Sequence, residues 1–97
     1  MKQAFECENI TEIRTAIDQI DKNIIDLIAQ RFQYVKAAAK FKTGETSVKA
    51  PDRVRAMLLQ RRRWAAEFDL NPDVIEKMYA GLVNYFISEE LKTWKQP

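Results

Sequence analysis

Residues 9–42 read NITEIRTAIDQIDKNIIDLIAQRFQYVKAAAKFK, a run without proline or glycine whose periodicity decides the fold. Asn9 precedes Ile10, and Glu12 follows three positions on, a capping-box pattern that opens a helix. Apolar or aromatic side chains then return at Ile13, Ile17, Ile20, Ile24, Leu27, Tyr34, Ala38 and Phe41, a heptad-like stripe to about Lys42 that only Arg31 interrupts. About 33 residues at roughly 1.5 Å each make a rod near 50 Å, whereas a compact chain of this size has a radius of gyration of about 12 to 13 Å. The rod overshoots its own globule, so its stripe stays in water unless a second copy covers it. The pattern therefore predicts an intertwined homodimer. A kink at Arg31 is the competing reading, although nothing there breaks helices.

Beyond this rod, Thr43 to Lys49 is polar and contains Gly44, which predicts a loop. Ala50-Pro51-Asp52 puts a proline in the first turn of a second helix, striped by Val54, Met57, Leu58, Arg61, Ala65 and Phe68 and ending near Asp69-Leu70. Asn71-Pro72-Asp73 supplies an N-cap, a first-turn proline and an early acid for a third helix to about Trp94. Its stripe is Ile75, Tyr79, Leu82, Phe86 and Glu90, widened by Met78, Val83 and Ile87. The expected fold is all-α: three helices, the first much longer than the others, in one domain over residues 1–97.

Composition narrows the chemistry. The chain has no histidine and one cysteine, Cys7, so zinc has no nitrogen or sulfur ligand set and no disulfide closes within the chain. Histidine-based triads are excluded as well. No stretch is long and apolar enough for a membrane span, and residues 1–8 lack the apolar block of a secretory signal, which places the chain in the cytoplasm. A net charge of +2 argues against nucleic acid. The run Arg61-Arg62-Arg63 points to different faces of a helix and reads as solvated surface. No cofactor is expected.

What remains is a set of cations. Arg31 falls where the seven-residue steps Ile17, Ile24, Arg31, Ala38 call for an apolar side chain, and a buried guanidinium needs an anion. That anion is either an internal carboxylate or a ligand. Lys42 lies eleven residues further, close to the same helical face about 16 Å along; read alone, it is a helix-end cation. Arg14 sits seventeen residues before Arg31, about 25 Å away, so the two meet at one small ligand only across an antiparallel dimer. Alone, Arg14 is a surface partner for Asp18. Arg53 in the first turn of the second helix suits the dipole poorly unless an anion lies near; a solvated arginine is the other reading. Glu90 continues an inward stripe, where burial favours a neutral carboxyl; a small rotation of the helix would expose it.

Arg14, Arg31, Lys42, Arg53 and a late inward polar residue together resemble the all-helical chorismate mutase family over essentially the entire chain. The strings Asp18-Gln19-Ile20-Asp21, Arg31-Phe32-Gln33-Tyr34-Val35-Lys36-Ala37-Ala38, Phe41-Lys42, Ala50-Pro51-Asp52-Arg53-Val54 and Glu90-Leu91-Lys92-Thr93-Trp94 resemble one branch more closely. That branch is the isochorismate pyruvate lyases that supply salicylate for siderophores. The resemblance implies two active sites per intertwined dimer, with Arg14 from one chain and Arg31, Lys42, Arg53 and Glu90 from the other. Arginines would hold the two substrate carboxylates and Lys42 would stand near the ether oxygen, with 43–49 as a lid. Chorismate mutases usually place a glutamate directly after the arginine that opens the second helix, to bond the ring hydroxyl. Val54 occupies that position here, which favours isochorismate over chorismate as the main substrate. The family usually has glutamine where this chain has Glu90, although some chorismate mutases use glutamate.

Overall fold

A computed structural model describes residues 2–95, without the side chain of Lys95. It is all-helical among these residues, with α1 at Ile10–Ala38, α2 at Glu45–Lys49, α3 at Pro51–Glu67 and α4 at Pro72–Lys95. The chain divides into two compact units, Met1–Tyr34 and Val35–Pro97. No helix is long and apolar enough to cross a membrane.

In the first unit, the Asn9 side chain accepts a hydrogen bond from the Glu12 amide at 2.9 Å, as an N-cap does. The returning Glu12 carboxylate takes the Glu8 amide at 2.9 Å and the Lys2 ammonium at 3.2 Å, so the box closes one residue earlier than the pattern predicts. From this cap the helical assignment of α1 runs through Arg31 without a break. Not one of its residues is buried. Ile10, Ile13, Ile17, Ile20, Ile24 and Leu27 are each between 38% and 60% exposed, an apolar stripe in water along the length of the helix. The expected Arg14–Asp18 pair does not form among the described residues.

The second unit holds the core. Met57 and Ala65 of α3 and Val83 and Phe86 of α4 are buried where these helices pack together. Asn71 caps α4 through bonds from the Asp73 amide at 2.9 Å and the Val74 amide at 3.3 Å. At the end of α3, Asp69 takes the left-handed conformation (φ 58°). The Leu70 amide bonds the Ala65 carbonyl at 2.8 Å and the Asp69 amide bonds Ala66 at 3.2 Å, a Schellman stop built without glycine. Phe68 and Met78, both expected to face inward, are 75% and 62% exposed.

Two expectations need correction. Residues 43–49 are not a loop: Glu45–Lys49 forms α2, whose Val48 is buried and which packs against α4. Five residues are far too few to stay helical alone, so tertiary burial supplies what local propensity lacks. Among the described residues there are thus three long α-helices and a fourth short one. The first helix also ends earlier than Lys42, because Ala39–Phe41 tightens into a 3-10 turn and Lys42 follows in extended backbone. The helical phase that ties Lys42 to the Arg31 face therefore does not reach it.

Candidate active site

Lys42 and Glu90 are the pair of expected site residues that the second unit brings together. Glu90 lies one turn beyond Phe86 on the inward face of α4 and is 6% exposed. Its Oε1 is shut away from water and meets no hydrogen-bond donor among the described residues. A carboxyl so placed resists ionisation, and burial pushes its pKa up; the Lys42 ammonium nearby pulls the other way and does not cancel the effect. The protonated form is a hydrogen-bond donor, the ionised form only an acceptor.

Lys42 is half-buried, and its ammonium donates to the Ser47 carbonyl at 3.1 Å. The 3-10 turn ahead of Lys42 and α2 behind it both pack against α4, the helix that carries Glu90. Sequence reasoning missed Ser47, whose contribution is a backbone carbonyl and leaves no trace in side-chain type. Val48 carried the one available signal, an apolar residue alone in a polar run.

Arg53 stands in the first turn of α3 and is exposed, and it pairs with no carboxylate among the described residues. Its neighbour Val54 is half-buried and has nothing to offer a ring hydroxyl. In the first unit Arg14 is exposed, while Arg31 is half-buried with its Nη1 out of reach of water. Both lie on the unbroken α1, so the seventeen-residue spacing keeps them about 25 Å apart. One small ligand cannot touch both within a chain.

The arginine run differs from the solvated surface expected. Arg61 lies over the rings of Trp64 (4.6 Å) and Tyr79 (5.7 Å), and Arg62 pairs with Asp73 at 2.7 Å and Glu76 at 3.6 Å. The contacts to Tyr79, Asp73 and Glu76 clasp α3 to α4, and only Arg63 remains an exposed cation of the three.

Residues 13–91 match the family model for chorismate mutase type II. Over 96 residues, 99% of this chain and 95% of the relative, the sequence is 42% identical to an isochorismate pyruvate lyase of Pseudomonas aeruginosa. A T-protein of Enterobacter agglomerans is 34% identical over 88 residues, 89% of this chain but 24% of that protein. A T-protein of Haemophilus influenzae is 34% identical over 70 residues, covering 71% of this chain and 19% of that protein.

Proposed function

The chain belongs to the chorismate mutase type II family, and on that footing we propose that it is an isochorismate pyruvate lyase, forming salicylate and pyruvate with weak chorismate mutase activity besides. The observation that carries this reading is the near full-length match to a lyase in a chain whose post-arginine position is Val54. The reaction suits the residues present. As the ether C–O bond breaks, the ring hydrogen beside it moves to the enolpyruvyl methylene, the ring becomes aromatic and pyruvate leaves. No proton is exchanged with a base, so a site without histidine lacks nothing.

Catalysis consists of holding the enolpyruvyl arm over the ring and stabilising charge on the departing ether oxygen. Lys42 supplies the positive charge and protonated Glu90 a hydrogen bond. Arg31 and Arg53 bind carboxylates, the task for which a planar guanidinium is best shaped. Arg14 comes from the partner chain. The exposed aliphatic stripe of α1 supports an isologous homodimer, since a patch of that extent is rarely left in water. The enzyme works in the cytoplasm without metal or cofactor, and its salicylate is of the kind used to build siderophores.

The test is to supply purified protein with isochorismate and, separately, chorismate, and to quantify salicylate against prephenate. Salicylate formation well above any prephenate formation is expected. Prephenate as the main product would make the chain a dedicated mutase instead.

The same assay reads Glu90. Because its pKa is raised, the donor form persists above the ordinary carboxyl range and is lost as pH rises through the folded value. Activity is expected to fall about tenfold per pH unit beyond that point, and Glu90→Gln to flatten the limb, because an amide donates at every pH. Stability follows the same sign: the fold binds the proton more tightly than the unfolded chain, so wild type loses stability as pH rises through that window and Glu90→Gln does not. A wild-type profile flat from acid to neutral pH contradicts this role.

A further inference from the structure

We infer that Val48 is a positioning residue for the reaction: its burial docks α2, whose Ser47 carbonyl then fixes the Lys42 ammonium beside Glu90. This rests on the reading of Lys42 as the charge that meets the substrate.

Val48 is 2% exposed, the lowest value among the buried core residues, yet it sits on a helix of five whose other members are exposed or half-buried. One side chain thus anchors the segment. The helix is closed at both ends, by the Val48 amide on the Gly44 carbonyl at 3.1 Å and the Ala50 amide on the Thr46 carbonyl at 2.8 Å. Ala50 takes a left-handed conformation (φ 41°) and is the single residue between α2 and α3, ending one and opening the other. Such a conformation is unfavourable for alanine, and surrounding packing has to hold it. Val48 is the buried residue nearest to it in sequence.

The consequence falls on Lys42. A lysine ammonium swings on four flexible bonds and carries three donors. With one donor on the Ser47 carbonyl, the other two are aimed rather than free to sweep, and none of the three has to be released when an anion arrives. In the substrate-free protein the segment thus braces Lys42 through a short helix, where composition alone predicts a loop.

Val48→Ala is expected to lower kcat for isochorismate about tenfold or more while KM moves less than threefold, because a misplaced catalytic group loses rate more than ground-state binding. Val48→Ile, which refills the volume, recovers most of that loss. Amide hydrogen exchange on the substrate-free protein supplies a readout independent of turnover. The Val48 position and Ala50 should exchange at least tenfold faster in Val48→Ala, with Val83 and Phe86 unchanged. If Val48→Ala does not fold, Val48→Thr, which keeps the shape and adds a hydroxyl, carries the same measurements. Unchanged exchange overturns the docking, and faster exchange with unchanged kcat overturns the positioning. A wild type inactive on both substrates removes the proposed function and with it the positioning, while the exchange result still decides whether Val48 docks α2.

Discussion

Lys42→Ala is expected to lower kcat on isochorismate about 10²–10³-fold, equivalent to roughly 2.7–4 kcal/mol, the scale seen when one preorganised donor to a developing oxyanion is removed. The ammonium pulls against the upward shift of the Glu90 pKa, and it is already held by the Ser47 carbonyl before substrate arrives. Its contribution therefore belongs to the chemical step more than to binding, and KM should change far less than kcat. A second signature accompanies the loss. Lys42 lowers the Glu90 pKa, so removing it raises that pKa further and shifts the basic limb of the residual activity to higher pH. Lys42→Arg restores charge without the compact ammonium geometry and should recover only part of the rate. A variant retaining more than half of wild-type kcat would take Lys42 out of the reaction.

Ile17→Asp combined with Ile20→Asp is expected to convert the proposed dimer to a species near the 11.4 kDa of one chain and to abolish turnover with it. Both isoleucines are close to half exposed on a helix that buries nothing. In a twofold dimer each substitution counts twice. Because each is already about half covered, four isoleucines at roughly half of 1.5–3 kcal/mol apiece give about 3–6 kcal/mol of lost association, a dissociation constant at least about 10²-fold weaker. Sedimentation across a concentration series reads the mass and the salicylate assay reads the sites. A wild-type chain that sediments as a stable monomer, or a monomeric variant with full activity, contradicts the shared-site arrangement.

Much of this architecture was legible because it is local. Asn9 and Asn71 cap where their side-chain oxygens suggest, Pro51 and Pro72 open helices at first-turn positions, and the Phe86–Glu90 step points a carboxylate inward as the stripe requires. Arg31 interrupts the α1 stripe and is half-buried, whereas Ile17 and Ile24 on the same heptad steps are exposed. What was missed depends on tertiary partners. No propensity rule makes a helix of Glu45-Thr46-Ser47-Val48-Lys49; burial of Val48 against the rest of the second unit does. The hold on Lys42 comes from a backbone carbonyl, which side-chain chemistry cannot announce. Phe68 and Met78 satisfied the period of their helices and still face water, because a stripe wider than the surface it meets leaves its edges uncovered. Arg61 read as solvated charge, yet its guanidinium covers the faces of Trp64 and Tyr79, a use of arginine that a count of charges overlooks.

Subunit complementation tests the shared site most directly. Arg14→Ala and Lys42→Ala, each nearly inactive as a homodimer, are unfolded together in equal amounts and refolded. If Arg14 serves the partner's site, half of the dimers are mixed and each mixed dimer has one intact site, so about a quarter of wild-type activity returns on statistical pairing alone. If the mixture stays as inactive as its components while mixed dimers are demonstrably present, Arg14 and Lys42 do not meet across the two chains and the account is wrong.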